Sequence, residues 1–489
     1  MSPRVRDQRL GREHGIALFA ALLGLTVLLL NGCSAGPKYA RPTLPAPAPP
    51  AYKEAGGWKM AQPGDQTLRG KWWEIFGDAQ LNALEEQVTV ANQDLKVAEA
   101  RLREARALIR FNRASEFPTI STSPSISSVR DSVHRPYFLS SVSATGDLVL
   151  PFDLSYELDF WGRIRRTVLA AREEAQATAA DLETAKLSLH AELAMDYFEL
   201  RSADAQKQLL DDTVKAYAGA LKLTVNRFAG GVAPKSDVAQ AQTQLDTTQV
   251  RDTDIAVQRA QFEHAIALLI GKPPAAFSLP PAPSNVQPPN IPVGLPAQLL
   301  ERRPDIAAAE RRVAEANEQV GIARAAFFPA VMLSTSAGFE GTSITNWFSW
   351  PSRFWAAGPS MVQTLFDAGR RRATSEAALA NYDATVAAYR QTTLSAFQQV
   401  EDNLAALRIL DQEAEQQEHA LDSAQESLRL FTNRYKGGVD TYLQVITAQT
   451  VVLTNARNNV DILRRRMDAS VLLIKALCGG WNVTNLPPS

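Results

Sequence analysis

The chain has 489 residues, of which 45% are hydrophobic and 21% are charged, and these proportions exclude both a disordered chain and a bundle of membrane helices. Its 51 Lys and Arg residues nearly balance its 52 Asp and Glu residues, so net charge provides no general attraction to nucleic acid or anionic lipid. Two cysteines cannot build a disulfide framework.

The N-terminus has the pattern of a secretion signal, predicted to cover residues 1–32. Four arginines precede a mostly apolar run, residues 16–30, which is shorter than the roughly 20 residues of a membrane span but suits a signal peptide. The run ends in Leu30-Asn31-Gly32-Cys33, which resembles a bacterial lipobox. We therefore expect cleavage before Cys33 and covalent lipid on its thiol. Because Ser34 follows instead of Asp, the expected location is the outer membrane.

Residues 33–70 are predicted to form the lipidated N-terminus and a proline-rich linker. The prolines within 36–63 favour an extended, partly polyproline II chain that contributes little to a core. Such a linker would allow the folded body to lie some distance from its lipid anchor.

An internal repeat organises the rest of the chain. The segment Asn226–Val232 recurs as Asn433–Val439, an offset of 207 residues that also relates other positions in the two halves. Each copy is predicted to contain a helix, a β-hairpin, a long helix and a return helix. The predicted units are a first repeat, a second repeat and a C-terminal tail, covering 71–285, 286–480 and 481–489.

The predicted hairpins rest on alternating polarity. Residues 148–160 alternate strictly, 331–339 repeat the pattern, and 119–130 and 352–367 are weaker candidate partners. One wholly apolar face suits a wall that faces lipid on one side and water on the other, although a strand of a β-sandwich would also alternate. Two hairpins cannot close a membrane barrel, so the lipid-facing interpretation requires several chains to share one.

Each repeat also contains a predicted long helix. Positions 386–435 follow an unbroken 3,4 alternation of mostly apolar or small residues, and 182–228 carry the equivalent pattern; a heptad pattern of this length indicates coiled-coil packing. No proline interrupts 164–229 or 370–436, so each helix could run for roughly 65 residues, or about 100 Å. A dimeric cytosolic coiled coil is the alternative, and the intervening strands argue against it.

These features together resemble the outer membrane factor family, relatives of TolC, and most closely its NodT-type lipoproteins that serve RND efflux pumps. The resemblance covers essentially the whole mature chain, and its most specific motifs are Phe160-Trp161-Gly162-Arg163 and Leu299–Ile306. It implies an α+β membrane protein: a homotrimer with one shared twelve-stranded antiparallel β-barrel, four strands per chain, above a long periplasmic α-helical barrel. It also implies two partners, a periplasmic adaptor (membrane fusion) protein and an inner-membrane RND pump.

Glycine-rich segments are predicted to turn each long helix back at its far periplasmic end. These segments are Gly230-Gly231-Val232 and Gly437-Gly438-Val439, and glycine adopts the positive φ angles that a tight reversal needs. By similarity to the family, the same tips contact the hairpins of the adaptor. A turn with no further role is the alternative.

The resemblance also implies a pore constriction just past the second tip. In the family a Leu and, four residues later, an Asp project into the pore, and the matching positions here are Leu443 and Thr447. Leu443 retains an apolar constriction, whereas Thr447 does not support a ring of carboxylates. Asp440 could supply negative charge nearby or cap the helix that follows, and capping is the favoured interpretation.

The sequence offers no candidate catalytic or metal site. The five histidines are scattered, and neither HExxH nor CxxC occurs. Gly230 to Lys235 lacks P-loop spacing, and Gly271-Lys272 is followed by Pro273 instead of Ser or Thr. We therefore expect no catalysis, no metal and no cofactor beyond the lipid on Cys33. The predicted function is a passive exit duct of a tripartite RND efflux system. A type I secretion channel and a non-channel lipoprotein that tethers envelope layers are the alternatives, and the transported substrate is not predicted.

Overall fold

The computed structural model describes residues 35–44, 47, 49–54, 70–130, 132, 144–282, 286–291 and 303–477. The predicted signal peptide, Cys33 and the C-terminal tail lie outside the described residues, as does the first half of the Leu299–Ile306 motif. The two repeats fall largely within them.

The first repeat contains helices, a hairpin and a helical pair in the predicted order. After a short 3₁₀ turn (Trp72–Phe76), its elements are α1 (Ala79–Ala91), α2 (Gln93–Arg113), β1 (Thr119–Thr122), β2 (Ser125–Val129), β3 (Thr145–Leu158), α3 (Arg163–Ala229) and α4 (Lys235–Leu269).

The helix predicted before the first hairpin is not continuous. Asn92 is extended (φ −61°, ψ 130°) and separates α1 from α2. Its Oδ1 accepts the N–H of Leu95 at 2.9 Å, and its Nδ2 donates to the carbonyl oxygen of Leu269 at 2.9 Å. The amide therefore caps α2 and attaches the break to the end of α4, so the single helix predicted here was wrong in detail.

The second repeat has the same order, with one entering helix among its described residues. Its elements are α5 (Pro304–Ala325), β4 (Ala330–Gly341), β5 (Arg353–Val362), α6 (Arg370–Lys436) and α7 (Tyr442–Ala476). The long helices α3 and α6 have 67 residues each and the return helices α4 and α7 have 35 each, so the long helices extend about 100 Å. The internal repeat and the helix lengths are thus confirmed. Within the described part of the chain, no helix combines the length and apolarity needed to cross a membrane.

One antiparallel sheet joins the two hairpins. Its order is β1-β3-β4-β5, with β2 also pairing with β3, so β1 and β2 are two segments of one strand. Leu150 lies opposite Phe339 and Tyr156 opposite Leu333, which aligns the predicted apolar faces of β3 and β4 on one side. The register between β4 and β5 places Trp355 on that same side. The predicted alternation is therefore confirmed across the sheet.

The long helix α3 packs against different helices in its two halves. In the half nearest the sheet, α3 packs against α2 through Leu182 and against α5 through Ala180. In the half nearest the turn, Leu210 of α3 packs with Ile255 of α4 and Leu453 of α7. The heptad positions predicted for α3 are buried or half-buried, with the exception of the last one, Phe228, which is 44% exposed.

The main hydrophobic core lies where the half-length helices end against the middle of the long ones. Trp72 is 1% exposed and packs among side chains from α3, α4, α6 and α7, including Leu200, Ile270, Val400 and Ile474. This cluster joins the two repeats around the segment that precedes α1.

The described part of the N-terminal segment is docked along the helices, which corrects the prediction that this part of the linker contributes little to the core. The N–H of Ala35 donates to the carbonyl oxygen of Trp161 at 3.0 Å, at the junction of β3 and α3. Further along, Tyr39 donates to Glu310, Tyr52 is 5% exposed within the main core, and Glu54 pairs with Arg408 on α6. None of the described residues before Gly70 lies in a helix or strand, but Tyr39 and Tyr52 pack against the helices.

Candidate functional site at the helix tips

The first tip reverses the chain through a hydrogen-bonded glycine turn. Gly231 has a φ of +76°, its N–H donates to the carbonyl oxygen of Phe228 at 2.9 Å, and the N–H of Val232 donates to that of Arg227 at 2.8 Å. This pair of bonds is the Schellman pattern that satisfies the last carbonyl groups of a helix. Pro234 then precedes the first residue of α4 and lacks an N–H that would need a partner.

The second tip repeats this geometry. Gly438 has a φ of +73°, its N–H donates to Tyr435 O at 3.0 Å, and the N–H of Val439 donates to Arg434 O at 3.0 Å. The first glycines of the two pairs, Gly230 and Gly437, have φ of −79° and −77°. The predicted need for positive φ therefore applies only to the second glycine of each pair.

Both tips expose backbone and one aliphatic side chain. A Cβ atom placed on Gly231 or Gly438 would meet nothing within 4 Å. Val232 and Val439 are 66% and 68% exposed. The turns therefore present a surface that a second molecule can approach closely.

The two tips contact each other through residues that the sequence analysis did not single out. Nη1 of Arg227 in the first tip donates to the carbonyl oxygen of Lys436 in the second at 3.1 Å, and its guanidinium carbon lies 4.7 Å from the ring centroid of Tyr435. Tyr435 in turn packs against Tyr442, with ring centroids 5.1 Å apart. One sequence signal for this contact was available. Tyr442 of the second copy has no aromatic equivalent in the first, where Lys235 occupies the matching position.

Leu443 and Thr447, two of the predicted constriction residues, lie at the start of α7, and Asp440 lies two residues before the helix begins. Leu443 is 53% exposed, and Thr447 lies one turn further with its hydroxyl donating to Leu443 O at 2.9 Å. Their four-residue spacing places both side chains on one face of the helix. The structure thus brings together the pair that was matched to the family pattern.

The favoured interpretation of Asp440 as a helix cap was wrong. The N-cap of α7 is Thr441, and no side chain forms a capping hydrogen bond there. The carboxylate of Asp440 is instead bound by Arg434, with Nε 2.5 Å from Oδ2. Because this pair spans the turn, it braces the second tip across Gly438.

The described residues contain no group of three His, Cys, Asp or Glu side chains arranged to hold a metal ion. The geometry at the tips is that of helix reversal and close packing.

A small antiparallel sheet that continues into helices about 100 Å long, which turn back at glycine tips, is the architecture of a TolC-like outer-membrane channel. Comparison with known proteins agrees. A model of the outer membrane efflux protein family matches residues 84–272 and 295–479. The chain belongs to that family and is an outer-membrane efflux channel protein.

Similar relatives cover nearly the whole chain. The solvent efflux pump outer membrane protein SrpC of Pseudomonas putida is 32% identical over 475 residues, which span 95% of this chain and 99% of SrpC. Outer membrane protein OprJ of Pseudomonas aeruginosa is 32% identical over 480 residues, 96% and 97% of the two chains. The solved structure of the outer-membrane channel OprN matches with a TM-score of 0.85 at 29% identity and covers 92% of this chain and 100% of that one.

Proposed function

We propose that three copies of this chain enclose one continuous conduit, each contributing four strands to a twelve-stranded β-barrel and its long helices to a periplasmic α-helical barrel. The observation that carries the proposal is the sheet's two edges: no described strand pairs with the outer side of β1 and β2 or of β5. Exposed strand edges are liabilities in a folded protein, and a membrane sheet must close on itself. Edge-to-edge pairing of subunits satisfies both requirements.

Exposed apolar side chains support the same assembly. On the sheet, Ile126, Trp355 and Met361 are 72%, 79% and 69% exposed in a single chain, which suits a face in contact with lipid. On the helices, Phe111 of α2 is 73% exposed and Leu379 of α6 is 47% exposed, and a neighbouring subunit would cover them.

The lipid on Cys33 is proposed to lie at the periplasmic edge of the barrel. Ala35, two residues after Cys33, is hydrogen-bonded to Trp161 where β3 gives way to α3. A docked segment at this point supports an anchor next to the barrel instead of one held at a distance by a free linker.

The conduit would serve as the passive exit duct of an RND-type tripartite efflux system, without catalysis, metal or nucleic acid. The exposed turns at Gly231 and Gly438 would receive a periplasmic adaptor, and an inner-membrane RND pump would supply the energy. The names of SrpC, a solvent efflux pump protein, and OprJ, an outer membrane protein, support the choice of efflux. Deletion of the gene should increase sensitivity to solvents and antibiotics, and restored expression should reverse it. Unchanged tolerance with loss of a secreted protein would favour type I secretion instead.

Disulfide crosslinking tests the assembly. In a Cys478→Ser background that retains Cys33, a cysteine at Ser127 of β2 would be paired in turn with one at Ala356, Gly358 or Ser360 of β5. All four positions lie on the polar face of the sheet by register, so a correct pairing should give covalent trimers in membranes. The matched control pairs Ser127→Cys with Ser336→Cys in β4, which has strand partners on both sides. Monomers from every edge pair would refute the proposal.

Leu443 is proposed to narrow the pore near the second tip. Its exposed side chain shares a helix face with Thr447, and a ring of such leucines would exclude water from a narrow passage. Asp440 contributes little free charge because Arg434 binds it, so it does not replace the carboxylate missing at Thr447. Leu443→Ala should increase single-channel conductance and antibiotic leak, whereas Gln444→Ala, at the adjacent exposed position, should not. Equal conductance in the two variants would contradict this role.

A further inference from the structure

Four carboxylates and a single arginine lie together where the two repeats meet in the middle of the molecule: three of the carboxylates bind the arginine, and the fourth, Asp196, lies near Asp468. Asp196 and Glu199 belong to α3, and Asp461 and Asp468 belong to α7 together with Arg464. Nη1 of Arg464 donates to Glu199 at 2.5 Å and to Asp468 at 3.0 Å, and Nε and Nη2 donate to Asp461 at 3.0 and 2.8 Å. We call these five residues the α3–α7 acidic cluster.

Positive charge is scarce in this cluster. Among the described residues, no Lys or Arg forms a salt bridge with Asp196, and Glu192 adds a further negative charge one turn earlier on the same helix. Oδ1 of Asp468 is buried without a hydrogen-bond partner. One guanidinium therefore cannot compensate all the carboxylates when every one of them is ionised.

The neighbouring helices α4 and α6 add no cation to the linings of the two cavities beside the cluster. The groups from α4 that line the cavity beside Glu199 and Arg464, about 190 Å³ in volume, are Gln258 and Phe262. On the other side, the cavity beside Asp468, about 390 Å³, is lined on α6 by uncharged residues such as Asn403.

Other cations on this part of α7 lie near carboxylates outside the cluster. Lys475 interacts electrostatically with Glu192, and burial lowers the pKa of its ammonium group. Arg465, which lines the larger cavity on α7, pairs with Glu413. Arg466 pairs with Asp411. The two cavities leave α7 room to shift against its neighbours at the level of the cluster.

Burial and mutual repulsion make this cluster sensitive to protons. Burial, then Glu192 and Glu199, raises the pKa of Asp196 to about 7. Burial, then Glu199, raises the pKa of Asp468 to about 7. The folded state therefore binds protons more tightly than the unfolded chain, whose aspartates titrate near 4. The stabilisation is fully present below about pH 4 and is lost as the pH rises to about 7.

We propose that protonation of the α3–α7 acidic cluster controls how tightly α7 of the second repeat packs against α3 of the first. We call this proton-dependent contact the clasp. When Asp196 and Asp468 are protonated, they are neutral donors and α7 packs closely against α3. When they ionise, the carboxylates repel one another and this part of α7 separates more readily from α3. If the proposed constriction is correct, the clasp also influences Leu443, because the two lie on the same helix.

Hydrogen–deuterium exchange of the full-length protein tests the clasp without requiring channel activity. After correction for the intrinsic pH dependence of exchange, amides of 461–472 in the wild type should be roughly tenfold more protected at pH 5.5 than at pH 8. In Asp196→Asn/Asp468→Asn, protection should be high at both pH values. Arg464→Gln should lower protection at pH 8 further, because it removes the one cation.

The matched control is Asp411→Asn, which alters a carboxylate on α6 that pairs with Arg466 outside the cluster. It should retain the pH dependence of the wild type. The proposal is overturned if the wild type shows no pH dependence in 461–472, or if the double variant keeps it. Neither outcome depends on whether the protein conducts, so a failure of the proposed function would be seen separately.

Discussion

Replacing Gly438 with alanine isolates the contribution of backbone conformation to the second tip. Its φ of +73° lies in the left-handed region, which costs an L-residue roughly 1–2 kcal/mol. Because an added Cβ would meet nothing within 4 Å, this strain is the whole expected cost. Gly437→Ala is the matched control: φ there is −77° and the nearest atom to a Cβ is 3.5 Å away, so its cost should be near zero.

Exchange of a single amide measures this cost. The N–H of Val439 donates to the carbonyl oxygen of Arg434 across the turn. A penalty of 1–2 kcal/mol should increase local opening about 5–30-fold, and Val439 should exchange faster by that factor in Gly438→Ala. Gly438→Asn should be less affected, since asparagine tolerates the left-handed conformation. Equal exchange in Gly438→Ala and Gly437→Ala would refute the reasoning.

The same position tests the proposed role of the tip in adaptor docking. Gly438→Trp should abolish crosslinking to the adaptor from a photoreactive residue introduced at exposed Val232, while the crosslinked trimer remains. The bulky side chain would occupy the space through which a partner approaches the turn. Undiminished adaptor crosslinking in Gly438→Trp would show that the tip is a turn and nothing more.

Three further substitutions have expected outcomes. Arg227→Ala removes the contact between the tips, worth roughly 1 kcal/mol including its stacking on Tyr435, and should increase antibiotic leak through the resting channel. Arg166→Met leaves Glu318, its buried partner at 2.7 Å, without a cation and should cost roughly 3 kcal/mol, measured as a lower Tm, with partial recovery in Arg166→Met/Glu318→Leu. Trp72→Ala should cost roughly 3–5 kcal/mol by the same measurement, because it empties the centre of the core.

The architecture was largely predictable because its signals are periodic and occur twice. The absence of proline over 164–229 and 370–436 predicted the two long helices closely. Their heptads identified most of the buried residues of α6 but only a minority of those of α3, because α3 is also covered by α2 and α5. Alternation over 148–160 and 331–339 predicted not only strands but the faces that the register brings together. A periodic pattern predicts structure well because many residues contribute to it, so a single exceptional residue does not obscure it.

Features that depend on one side chain were not predictable in the same way. The break at Asn92 requires a partner carbonyl 177 residues away, which no local pattern reveals. The docking of the N-terminal segment depends on Tyr39 and Tyr52 meeting grooves formed by helices far along the chain. Asp440 was assigned to a cap from its local position, but Arg434, six residues earlier, binds it across the turn.

The two tips show how a duplicated backbone can acquire one specialised copy. Gly231 and Gly438 retain the same φ and the same hydrogen bonds, because a helix reversal of this length permits few alternatives. The side chains around them are under no such constraint. At the offset of 207, Lys235 of the first copy corresponds to Tyr442 of the second, and only the second contributes an aromatic residue to the contact between the tips. If the proposed constriction is correct, the second copy carries the gate because its turn is also braced by an ion pair and by the contact between the rings of Tyr435 and Tyr442, which hold the start of α7 in place.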